Sequence, residues 1–421
     1  MASYSGSNYG RRGIQPMAAG DSPSVDAFGR WRVSNPAKLF DASFEYDRQP
    51  LLMDWAISSG AAVSYSTLNA MVTVQGGTSS GGSAVFQSRE YTHYQPSKSL
   101  FAAQSFVCGT ATSVATRRVG RFDTNNGVFL EQTGSGVNLV LRRNTTGGVV
   151  ETRVAQTAWS MDPLNGAGPS GKTLDLTKTN ILWVDSQWLG VGRVRAGFDL
   201  GGSVVYVHEF DNANGTQTMP YSRSWNLPLR WSSTKKSSGA DSGIKAICGA
   251  VVSEGGDENE HAITLAAGNT AAVTCTTVAI RPVCSIRPAP TFQGLTNRIK
   301  VEIDSVDVFA SGNPAQWYLY YTSTTLTPSS WANVSTANSA VQVNRHATTG
   351  TVAGGFAVLQ GFIAAAGTPV SARGAVSHGL NSKLPLTLSI SATAPRTFTL
   401  AAVGVGGSAS VRAAFNWREI R

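Results

Sequence analysis

The chain has 421 residues and a net charge of +9, yet only 14% are charged, against roughly 25% in an average soluble protein. Glycine supplies 44 positions, and no stretch beyond about ten residues carries a 3.6-residue period. This excludes a helical bundle, a coiled coil and a polybasic arm, and predicts an all-β protein of short strands and tight turns.

Residues 1 to 25 are rich in Ser and Gly and read as an extended lead-in. MASYSGSNYGRRG has no apolar signal core, and no run reaches the roughly 18 apolar residues of a membrane span. A soluble chain made in a cytosol, with reduced thiols and no membrane insertion, is expected. Cys108 and Cys248 stand alone, while Cys275 and Cys284 fit two facing strands but no zinc pattern.

DAFGRWRVSNPAKLFDASFEYD, Asp26 to Asp47, packs aromatic and charged side chains together with no period of its own. Residues 1–47 therefore read as an attachment arm. Phe28, Trp31, Phe40, Phe44 and Tyr46 would bury against another subunit while Arg30 and Arg32 fix the register. The competing reading is an edge strand packed on its own domain.

Residues 48–287 read as a large jelly-roll or lectin-like β-sandwich. From Arg118 to Trp159, short apolar strands alternate with TNNG, TGSG and NTTGG, turn chemistry spaced about ten residues apart that predicts an antiparallel meander. In VNLVLRR, Val137, Leu139 and Leu141 share one face, with Asn138 and Arg142 on the other. DLGG, Asp199 to Gly202, predicts a hairpin between VRAGF and VVYVHEF. Arg287-Pro288-Ala289-Pro290 is the expected linker, and residues 288–421 the second sandwich. There RIKVEID puts Ile299, Val301 and Ile303 on one face and Arg298, Lys300, Glu302 and Asp304 on the other. Further strands are expected at WYLYY, AVQV, LTLSIS, TFTLAA and VRAAFNW.

No catalytic constellation emerges, so no enzyme and no cofactor is predicted. The five histidines are dispersed, and GGTSSGG lacks the helix and Lys of a phosphate loop. GGDENEH could offer Asp257, Glu258 and Glu260 to calcium, although a solvent-facing turn is the simpler reading. HEFDNANG presents Glu209, Asp211, Asn212 and Asn214 at a strand end, where either a glycan or calcium site or an ordinary turn would fit. The 10 tryptophans read mainly as core or interface anchors, with sugar stacking the alternative for one or two.

The Asp26–Asp47 segment resembles one found near the start of many tailed-bacteriophage structural proteins. ILWVDSQWLGVGRVRAGF, VVYVHEF, NLPLRW and the closing NWREI look like the body and end of the same proteins. The resemblance implies a virion component (tail, fibre, collar or capsid-associated) that meets other virion proteins and forms a homo-oligomer, by analogy a trimer. It implies no reaction and no direct nucleic-acid contact. The alternative is a receptor- or glycan-binding tail module contacting the host surface, with or without depolymerase activity.

Overall fold

A computed structural model describes residues 24–33, 35–215, 217–255, 262–322, 325–327, 329–346, 350–366, 375–379 and 384–421. Among these the chain is all-β: 30 strands and one three-residue 3₁₀ turn, Gln156–Ala158.

Two sheets share the first core. One orders Val204–Phe210, Val194–Asp199, Asn180–Ser186, Leu100–Val107, Ile244–Ser253, Met71–Gln75 and Ala62–Ser66, with Ala37–Ser43 also paired to Ile244–Ser253, for eight strands in all. The facing seven-stranded sheet runs Val150–Ala155, Gly136–Arg143, Gly127–Thr133, Ala115–Phe122, Leu229–Lys235, Ser83–Ser88 and Met53–Ser58. Every pairing within both is antiparallel. The meander and the Asp199–Gly202 hairpin follow their turn residues, since Gly201 and Gly202 take positive φ angles of 67° and 81° that a side chain would resist. Leu139 and Leu141 point into the core, and Val137 packs on it. Phe44, Phe86 and Trp231 interlock there, with Phe44 5.2 Å from Phe86 and 6.0 Å from Trp231 between ring centroids.

The second core lies between a five-stranded and a six-stranded sheet. The first is built on Lys300–Ser311 and Ala409–Ile420, the second on Arg281–Pro288, Phe398–Gly404 and Ala315–Tyr321. Trp317 and Trp417 are buried in it.

Three expectations need correction. Residues 37–44 are not a free arm: Ala37–Ser43 is a sheet strand, and Phe40 and Phe44 lie in the first core. Arg287 and Pro288 are not a linker but end a strand. Pro288 pairs only with Val341, on a stretch that the other neighbour strand has already left, so its missing N–H deprives no ladder. The chain instead crosses between the sheet pairs after Ser253 and before Ile263. LTLSIS forms no strand and makes only an isolated bridge from Leu388 to Pro395. Asp257, Glu258 and Glu260 lie outside the described residues, as do residues 1–23.

Candidate functional site

DAFGRWR folds into a local clip. The Asp26 carboxylate accepts from the backbone N–H groups of Phe28 and Arg30, each at 2.9 Å, and from Arg30 Nε at 2.8 Å. Gly29, at φ 77°, closes the turn, and Val25 bridges Trp31. Arg32 fastens the clip to the eight-stranded sheet. It meets Asp185 and Glu254, each at 2.6 Å, and stacks 4.8 Å from the Phe101 ring. Arg195 donates both to the Val25 carbonyl at 2.8 Å and to Asp185 at 2.7 Å, while Arg193 Nε reaches the Ala27 carbonyl. Asp185, fully buried, also accepts from Ser99 and Tyr206. Of the predicted interface residues, Phe40, Phe44 and Arg32 are thus engaged within the chain. Trp31 (56% exposed) and Tyr46 (90%) face outward, with Arg30 exposed and Phe28 half-buried.

The Glu209–Asn214 turn is partly committed to the fold. Glu209 pairs with Arg193 at 3.3 Å, and Asn212 Nδ2 donates to the Gly192 and Phe210 carbonyls. Asp211 and Asn214 are exposed, with Asn214 at φ 56° in an ordinary turn conformation. No group of three or more His, Cys, Asp or Glu side chains suited to a metal ion occurs among the described residues.

A third region was not singled out as a site from sequence. Strand alternation places the partners of the core residues on the outer face of the seven-stranded sheet. One transverse row reads Arg153, Val140, Phe129, Gly120, Arg230, Gln87, Asp54; the next includes Asn138, Glu131, Arg118 and Ser232. Phe122, Phe129 and Val140 form a small apolar cluster on this face, under the guanidiniums of Arg142, Arg118 and Arg230 at 4.8–5.9 Å from the rings. Burial alone would raise the Glu131 carboxyl, but hydrogen bonds and charge from Arg153 and Arg118 outweigh it and hold it low. Arg230 donates Nε to Gln87 at 2.8 Å, and burial lowers its pKa.

At the Met53–Ser58 end this face meets the second half of the chain. The Ile390 N–H donates to Asp54 at 3.0 Å, and Arg396 reaches the Pro50 carbonyl. Arg298 lies 4.5 Å over the Tyr91 ring and donates to the carbonyls of Leu388, Ser389 and Ile390. Between them is a cavity of about 380 Å³, lined from one side by Lys38, Leu39, Arg89, Glu90 and Tyr91 and from the other chiefly by Arg298–Asp304, Leu384–Leu388 and Arg418. Its size is that of a small-ligand site. Lys300 bridges Glu90 (3.4 Å) and Glu302 (2.9 Å), while Arg418 joins Glu302 (3.2 Å) and Asp304 (2.8 Å). The polar face of RIKVEID was visible in the sequence, but nothing local said that Arg89–Tyr91 would stand opposite it.

No protein-family model matches the chain, and no curated protein does. Solved structures align with about half of it. The CBM2 module of the evolved Dit of Lactobacillus casei BL23 phage J-1 is 8% identical, with a TM-score of 0.31, covering 52% of this chain and 95% of its own. A legume lectin-like domain from Entamoeba histolytica is 6% identical, with a TM-score of 0.31, covering 52% and 98%. A glycosyl hydrolase family protein from Mycobacterium fortuitum is 12% identical, with a TM-score of 0.33, covering 51% and 99%.

Proposed function

We propose that the chain is a glycan-binding subunit of a tailed-phage particle, acting on the host surface by binding and without catalysis. The observation that carries the binding role is the cleft between the two sheet pairs. It combines a ligand-sized cavity, hydrogen-bonding side chains held in place by ion pairs, and apolar walls from Leu384, Leu386 and Leu388. Fixed polar groups within apolar walls are what a polyhydroxylated ligand requires, since each hydroxyl entering must be matched. The phage context rests on the resemblance of the Asp26–Asp47 segment and the strands around Trp183.

Thr387 lines the cleft, is only half-buried, and takes part in no ion pair. The full chain should bind a subset of glycans on an array of bacterial surface polysaccharides, and Thr387→Trp, which fills the cleft, should lose them. An array with no binding refutes the reading. Turnover of any bound glycan into shorter products, abolished by replacing Glu302 or Asp304, would show that the site is catalytic.

The exposure of Trp31 and of Val33 (88%) favours a second role, attachment to other virion proteins. The clip presents an apolar surface from a rigid base, which is an economical docking shape. Trp31→Ala should leave the isolated protein folded and reduce its incorporation into particles. A homotrimer is proposed on resemblance alone; sedimentation equilibrium gives the stoichiometry.

A further inference from the structure

The charge around the cleft is unevenly neutralised. Its three carboxylates, Glu90, Glu302 and Asp304, are all ion-paired, to Lys300 and Arg418. Arg89 has Asp54 at 3.0 Å. Arg298, which lines the cleft, and the nearby Arg396 and Arg230, which do not, by contrast form no ion pair among the described residues. Arg298 gives its protons to three main-chain carbonyls, Arg396 to the Pro50 carbonyl, and Arg230 to the neutral amide of Gln87. Tyr91 sits under Arg298, 4.5 Å from ring centroid to guanidinium.

Guanidiniums satisfied only by neutral oxygens keep their full charge, and in a partly dry cleft that charge is costly unless an anion enters. Burial lowers the pKa of both Arg89 and Arg230; at Arg89 the Asp54 charge opposes the fall and Arg396 adds to it, and at Arg230 Tyr91 and Asp123 oppose it while Arg142 and Arg298 add to it. Arg298 is therefore left facing the cleft for an anion that the chain itself does not supply.

Building on the glycan-binding reading, we infer that the ligand is an anionic saccharide whose oxyanion is seated against Arg298 in the cleft wall. The charge of Arg396, felt at Arg89 on the other side, adjoins it. The oxyanion is the shared chemistry; a sugar carboxylate and a sugar-linked phosphate both supply it. Arg298 is held in a fixed orientation by its carbonyl contacts and the Tyr91 ring, so it enters binding without losing much rotamer freedom. The neighbouring Lys300, Glu302, Asp304 and Arg418 ladder offers donors and acceptors to the hydroxyls of the same chain.

Titration calorimetry on the full chain tests this with three polymers: polygalacturonate, a glycerol-phosphate teichoic acid, and neutral dextran. One or both anionic polymers should bind and dextran should not; which of the two binds identifies the oxyanion. Arg298→Gln and Arg396→Gln should each weaken that binding by about tenfold or more, the effect of one lost charge-assisted contact. Arg345→Gln removes the same charge at a remote exposed position, where Nε holds the Gly268 carbonyl, and should leave binding unchanged. Should Arg298→Gln fail to fold, Arg396→Gln, at a half-exposed position, carries the test. Equal binding of dextran, or equal weakening by Arg345→Gln, overturns the inference while leaving a glycan-binding role standing. Absence of binding to these polymers and to every glycan on an array removes both.

Discussion

Asp185 is the residue on which the clip depends. Its buried carboxylate serves Arg32, Arg195, Tyr206 and Ser99 together. Removing one partner of such a network leaves buried guanidiniums uncompensated, at a cost of roughly 3–5 kcal/mol. Asp185→Asn should therefore lower the urea midpoint of the protein and expose the Asp26–Val33 segment to proteolysis. An unchanged midpoint would mean that the network contributes little.

His346 gives a pH dependence. Its Nε2 lies 2.8 Å from Ser285 Oγ, and burial pushes the imidazole down to about 4. The unfolded chain takes up this proton near pH 6.5, the folded chain only near 4, so stability is full above about 6.5 and falls as the pH drops between those values. The loss is at most about 3 kcal/mol. Comparing urea midpoints at pH 7 and 4.5, His346→Gln should show a shallower decline than the parent; equal slopes would contradict the assignment.

Among the elements, the hairpins were legible in sequence because a hairpin is a local object. TNNG, TGSG and DLGG specify their turns within four residues, and period-two alternation then sorts Leu139 and Leu141 from Arg142. The strand Ala37–Ser43 was not legible, because its partner, Ile244–Ser253, lies some two hundred positions later and has a bulge between Lys38 and Phe40 to meet. An aromatic segment with no period looked like an arm although Phe40 and Phe44 were core. The proline pair misled for a related reason: a proline is tolerated in a strand wherever one side of the ladder is empty, and pairing is invisible in sequence.

Deleting residues 1–47 follows from this. The deletion removes a sheet strand with Phe40 and Phe44, and each buried phenylalanine accounts for about 3–5 kcal/mol. That is most of the stability of an ordinary domain, about 5–15 kcal/mol. The truncated chain should lose the cooperative thermal transition of its first sandwich, followed by circular dichroism. A deletion of residues 1–23 alone should keep it, since the clip and its Asp185 anchor remain. A 48–421 chain that melts like the parent would restore the arm reading.

At the scale of the whole molecule, the candidate site exists only because two sheet pairs meet. Lys300–Glu90, Ile390–Asp54 and Arg298–Tyr91 each join residues from opposite sides of that junction. The sequence displayed one wall, the alternating Arg298, Lys300, Glu302 and Asp304, without the opposing Arg89–Tyr91. The predicted Glu209–Asn214 turn was recognisable by residue type, yet Glu209 and Asn212 are held by Arg193, Gly192 and Phe210. Residue types alone did not show which of these side chains the fold already holds; the three-dimensional partners do, and they leave Asp211 and Asn214 exposed. The proposed function puts a glycan in the junction. Hydrogen–deuterium exchange of the full chain, with and without a glycan selected on the array, tests it most directly. Exchange should slow in Leu384–Leu388 and Asn297–Asp304, with Glu209–Asn214 and the Asp26–Val33 clip unchanged. Protection confined to the clip or to the 209–214 turn, with the junction unaffected, would contradict it.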